Sequence, residues 1–94
     1  MDIENKVVVV TGAASGIGRA LAQAFRNAKA DKVYIADLNE DGLTETADLM
    51  EGIAIRTDVS NESEIKDLIE KVNKENDIDI FCSNAGIGLS LIHI

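Results

Sequence analysis

Apolar residues run without alternation from Val7 to Val10, and the chain then breaks into Thr11-Gly12-Ala13-Ala14-Ser15-Gly16-Ile17-Gly18. A continuous β-branched run of this kind predicts a strand over residues 6–10, buried on both faces. Behind the glycines, Ile17, Ala20, Leu21, Ala24, Phe25 and Ala28 recur at three- and four-residue steps. That spacing predicts a helix burying their face, with Arg19, Gln23 and Arg26 on others. Lys32 to Asp37 reads as a second apolar strand ending in a carboxylate. Residues 40–51 give a weaker helix on Leu43, Ala47 and Met50, stopped by Gly52, and Ile53 to Thr57 a third strand. Ser60 or Asn61 can cap the next helix, with Glu64 in capping-box register to Asn61. Its buried stripe is Ile65, Leu68, Ile69 and Val72, and a fourth strand within Asp77–Cys82 runs into Ser83-Asn84-Ala85-Gly86.

The order is βαβαβαβ, which implies an α/β fold with a parallel sheet and right-handed crossovers. Wound to both sides, its strands would lie in the order 3-2-1-4. The chain then crosses sides between strands 1 and 4, and a ligand belongs in the crevice at their C-terminal ends. The glycine-rich loop and Ser83-Asn84-Ala85-Gly86 would flank it.

Composition narrows the partners. Net charge is −8, which argues against nucleic acid or an anionic membrane surface. Residues 1–36 hold five bases against three acids, and the remainder four against fourteen, so the glycines sit in the part least hostile to phosphate. Cys82 is the sole cysteine, consistent with a reducing compartment. No signal-peptide pattern or membrane-length apolar run is present, so the expected location is the cytoplasm.

The glycines serve three physical needs: a sharp turn off the strand, close backbone approach to a pyrophosphate, and tight helix–strand packing. The phosphates would lie at the helix N-terminus, where unpaired N–H groups favour negative charge. Asp37 can accept hydrogen bonds from the adenosine ribose hydroxyls and would repel a 2′-phosphate. No Lys or Arg stands at Ala14, Ser15 or Leu38 to counter such a phosphate, so NAD is favoured over NADP. Asp58-Val59 reads equally as an adenine-edge contact, with Asp58 accepting from the exocyclic amine, or as a polar turn before a helix cap. Asn84-Ala85-Gly86 could place small groups against the cofactor, the Asn84 amide tying neighbouring strands, or be an ordinary strand exit. Cys82 reads as inert core and Tyr34 as strand packing, because the residue four beyond that tyrosine is Leu38. His93 has no partner that would give it a role. No lysine follows the glycines as in nucleotide-hydrolysing loops.

These elements together resemble the short-chain dehydrogenase/reductase family over roughly residues 3–88. The resemblance rests on Thr11-Gly12-x-x-x-Gly16-Ile17-Gly18, Asp37, Asp58-Val59 and Asn84-Ala85-Gly86. It implies a Rossmann-type fold and NAD(P)-dependent interconversion of an alcohol and a carbonyl, on a small-molecule substrate and in a homo-oligomer. It also implies that Gly12, Ser15, Gly16, Ile17 and Gly18 contact the pyrophosphate side, Asp37 the ribose and Asp58-Val59 the adenine. Asn84, Ala85 and Gly86 would line the nicotinamide-ribose end. Ser83 departs mildly from the family's usual Asn. The family's acid/base tyrosine, with its lysine four residues on, has no counterpart in these 94 residues.

The expectation is therefore an N-terminal fragment, residues 1–88 belonging to the cofactor domain and 89–94 a tail foreign to the family. The fourth strand would be an exposed apolar edge, and only the helix at 61–75 would cover the far face. A non-catalytic NAD-binding or partner-binding module is the alternative; a domain binding a methyl-donor nucleoside is more remote.

Overall fold

The structure, a computed structural model, describes residues 3–84 and 90–93. Ala85 and Gly86, two of the candidate site residues, lie outside the described residues. The elements are β1 (Val7–Thr11), α1 (Gly16–Asn27), β2 (Lys32–Asp37), α2 (Glu40–Met50), β3 (Ile53–Arg56), α3 (Glu62–Glu75), β4 (Ile80–Ser83) and β5 (Ser90–His93). The sheet order is β3-β2-β1-β4-β5. The first four strands are parallel in the order 3-2-1-4, as the alternating pattern requires.

Two cores sandwich the sheet. Val8, Val10, Val33, Ile35, Ile80 and Cys82 face α1 and α2, while Val7, Val9, Tyr34, Ala36 and Phe81 face α3. Tyr34 is more than packing, because its hydroxyl donates to Glu75 Oε2 (3.1 Å) and accepts from Asn76 Nδ2 (3.0 Å). Those bonds fasten the end of α3 to β2, and burial pushes the phenol above its ordinary pKa. Burial likewise raises the Cys82 thiol, in keeping with an inert core position.

Four sequence expectations change. The buried stripe of α1 is rotated: Gly18 and Ala22 are buried and Leu21 and Phe25 partly so, whereas Ile17 is 67% exposed and Ala20, Ala24 and Ala28 face solvent. The smallest residues let the helix approach the sheet most closely, so they, rather than the largest apolar side chain, define the contact line. Next, α2 ends with Glu51 in the left-handed region (φ 55°), one residue ahead of the expected Gly52 stop. Arg26 supports that end by donating to the Met50 and Glu51 carbonyls (3.1 and 3.0 Å).

The cap of α3 is Asn61, whose Oδ1 accepts from Ser63 and Glu64 N–H (2.9 and 3.3 Å). Its own N–H already donates to the Asp58 carbonyl, so Glu64 reaches past it to Asp58 N–H (3.0 Å) and the box does not close on Asn61. Finally, β4 is not an open edge. The backbone of β5 pairs antiparallel along it, from Ile80 opposite His93 to Ser83 opposite Ser90, because an unpaired strand side is a ready template for any extended segment within reach.

Candidate cofactor site

The carboxyl ends of β1, β2 and β4 converge on one loop. Thr11 ends β1 fully buried, and its Oγ1 accepts the Asn84 N–H (3.1 Å), tying β1 to the exit of β4 at the point where the strand order reverses. Gly12 leaves the strand with φ +67°, and a Cβ there would lie 2.8 Å from the Asn84 carbonyl oxygen. At Gly18 a Cβ would collide with the Gly12 carbonyl and come within 2.9 Å of Asn84 Nδ2. Gly12, Gly18 and Asn84 are thus one packed unit. Gly16 is different: φ is +59° and nothing lies within 4 Å of where a Cβ would stand. Its freedom serves backbone conformation and leaves room beside the chain.

That room opens at the start of α1. Ser15 is the N-cap, extended and exposed, and its side chain makes no cap hydrogen bond. No acid stands in the first turn. The other two helices are finished differently, α2 by Asn39 with Glu40 and Asp41, and α3 by Asn61 with Glu62 and Glu64. The first N–H groups of a helix have no intrahelical acceptor, and in α2 and α3 protein groups answer them. At α1 no side chain caps them, and Ser15, Gly16 and Ile17 are exposed, which suits a diphosphate. Ile17 stands exposed beside them.

Asp37, partly buried at the end of β2, lies next to this loop. Its Oδ2 accepts from Ala14 N–H (3.0 Å) and its Oδ1 from Asn39 N–H (3.0 Å). The carboxylate therefore both holds the loop and presents charge at its margin. Asp58 sits beyond β3, with Oδ1 accepting from the N–H and hydroxyl of Ser60 (3.0 and 2.6 Å). Those bonds, the hydroxyl's first, hold its carboxyl below the usual range, and nearby Arg56 adds to the effect. Both bonds stay within the turn that leads to α3, and Val59 is partly buried beside it.

The family model for short chain dehydrogenase matches residues 6–93. The chain belongs to this family. An uncharacterized oxidoreductase, YxbG, of Bacillus subtilis (strain 168) is 38% identical over 91 residues, covering 90% of this chain and 33% of the relative. A short-chain type dehydrogenase/reductase structure from Mycobacterium marinum superposes with a TM-score of 0.83 at 33% identity, over 92% of this chain and 37% of that one. A short-chain dehydrogenase/reductase from Burkholderia phymatum, solved in complex with NAD, gives a TM-score of 0.73 at 35% identity, over 79% and 28%. The chain thus spans about a third of the length of such relatives, and corresponds to a short N-terminal portion of the short-chain dehydrogenase domain.

Two residues of this portion escaped sequence reasoning. Arg19 is not a bystander on an outer helix face. Its guanidinium donates to Ala14 O (2.6 Å), Gly42 O (3.2 Å), Thr46 Oγ1 (2.8 Å) and Glu45 (2.9 Å). Thr46 is fully buried within the stripe of α2, with its hydroxyl on Ala13 O (2.7 Å). The available signal was its place three residues after Leu43 and four before Met50, where a polar side chain must find a buried partner.

Proposed function

We propose that this chain is the cofactor-binding half of an NAD(P)-dependent oxidoreductase that interconverts an alcohol and a carbonyl by hydride transfer, with NAD the preferred dinucleotide. The observation that carries the reading is the start of α1: uncapped, free of acids and open beside Gly16, with the Asp37 carboxylate fixed at its edge. Family membership and the NAD complex of the Burkholderia phymatum relative support it.

In this reading the N–H groups of Ser15 to Gly18 receive the pyrophosphate, and Gly12 and Gly18 keep the loop close to Asn84. Asp37 accepts from the adenosine ribose hydroxyls and disfavours a 2′-phosphate by like charge. Asp58-Val59 borders the adenine, and Asn84, Ala85 and Gly86 the nicotinamide-ribose end. The bound dinucleotide supplies the hydride-accepting or hydride-donating ring. Proton transfer to the substrate oxygen needs a separate acid/base group. Tyr34, the one tyrosine, cannot provide it, being buried and held by Glu75 and Asn76. The chain on its own therefore binds cofactor without turning over substrate, and the small-molecule alcohol or carbonyl, like assembly into a homo-oligomer, belongs to the longer enzyme in the cytoplasm.

The test is fluorescence titration of the full chain with NADH and NADPH. Saturable binding with NADH the tighter ligand is expected; saturation by neither would overturn the reading, and preference for NADPH would overturn the role of Asp37.

A further inference from the structure

The back of the glycine-rich loop is more fully tied than its front. Ala13 O accepts from Thr46 Oγ1, Ala14 N–H donates to Asp37 Oδ2, and Ala14 O accepts from the Arg19 guanidinium. Thr46 and Arg19 also join each other, Nε to Oγ1 at 2.8 Å, and Arg19 reaches the Gly42 carbonyl of α2. Gly42 makes the approach possible, since a Cβ there would lie 2.8 Å from Ala14 O. Helix α2 is thereby docked onto the loop.

A trans peptide unit is planar, with its C=O and N–H pointing in opposite directions. Fixing Ala14 O toward Arg19 and α2 consequently aims the Ser15 N–H away from α2, at the open start of α1. Fixing Ala13 O toward Thr46 sets the preceding unit in the same way and delivers Ala14 N–H to Asp37. We infer that Thr46 and Arg19 are positioning residues of the phosphate loop, holding its carbonyls against α2 so that the Ser15 N–H is presented to a diphosphate. The inference rests on the cofactor reading above, and adds that one residue of α1 and one of α2, neither touching the ligand, set its phosphate affinity.

The diagnostic quantity is the ratio of adenosine to ADP dissociation constants, measured by NMR titration of the full chain. Adenosine binding reports a folded nucleoside site, and the ratio isolates the phosphates. Thr46→Val keeps size and charge but removes the hydroxyl, and should weaken ADP by roughly fivefold or more while adenosine changes less than about twofold. Thr46→Ser should restore the wild-type ratio. Equal losses for both ligands, or no loss for either, would overturn the positioning role. Where Thr46→Val does not fold, Arg19→Lys takes its place, retaining the charge without the planar fork. An unchanged ratio in that variant overturns the proposal, and a ratio reduced severalfold supports it. A wild-type chain that binds neither NADH nor ADP would instead overturn the cofactor reading, and this inference with it.

Discussion

Gly18→Ala sets two effects of known sign against each other. Alanine is the better helix former by about 1 kcal/mol, and Gly18 lies in the first turn of α1, so propensity alone predicts stabilisation. Packing predicts the reverse. A Cβ at Gly18 would stand 2.6 Å from the Gly12 carbonyl carbon, nearer still to its oxygen, and 2.9 Å from Asn84 Nδ2, where ordinary contact begins near 3.4 Å. The first obstacle is main chain, which cannot rotate away as a flexible side chain could. Gly12 is itself confined by the Asn84 carbonyl on its other side. Relief therefore requires α1 to move off the loop, an overpacking cost at the upper end of about 1–3 kcal/mol. The net expectation is destabilisation by about 2 kcal/mol, which for a domain of this size lowers Tm by roughly 8–16 °C. Thermal unfolding followed by far-UV circular dichroism, with urea unfolding as a second measure, reads this directly. A variant as stable as the wild type or more so would refute the packing of Gly18 against Gly12 and Asn84.

Gly16→Ala should behave differently, because its cost is the left-handed φ of +59°, about 1–2 kcal/mol, with no steric neighbour. NADH affinity should fall by more than stability loss explains, seen by titration well below Tm. Asp37→Ala combined with Leu38→Arg should weaken NADH and improve NADPH binding by fluorescence titration. Because Asp37 also holds Ala14 N–H, total affinity should drop somewhat as well. Unchanged preference would remove Asp37 from the ribose contact. Stability should decline as pH rises past about 9 to 10. Burial raises both Cys82 and Tyr34 in the folded chain, so the unfolded chain releases those protons first and is favoured over that interval. Urea midpoints from pH 8 to 11 measure the decline, and Tyr34→Phe should make it shallower.

The features legible in the sequence were those that local pattern decides. The run Val7–Val10, the break into glycine and the carboxylate closing Lys32–Asp37 each follow from neighbouring residues, and strand order followed from their alternation with helices. The stripe of α3 was equally plain, since large residues dominate it. The stripe of α1 was not, because the line Ala20-Ala24-Ala28 runs beside that of Gly18 and Ala22, and only the docked geometry picks the second. Arg19 and Thr46 were hidden for a related reason: their partners are main-chain carbonyls of a loop that meets α2 only after folding. The pairing of β5 is likewise a backbone event, which side-chain pattern does not encode.

Whether the start of α1 receives the cofactor's phosphates can be read residue by residue, by titrating the 15N-labelled full chain with NADH and following every amide. Saturable shifts are expected, largest at Ser15, Gly16, Ile17 and Gly18, with Asp37 and Asn39 close behind. Absence of saturable shifts there, or the largest shifts at the starts of α2 and α3, would contradict phosphate binding at α1.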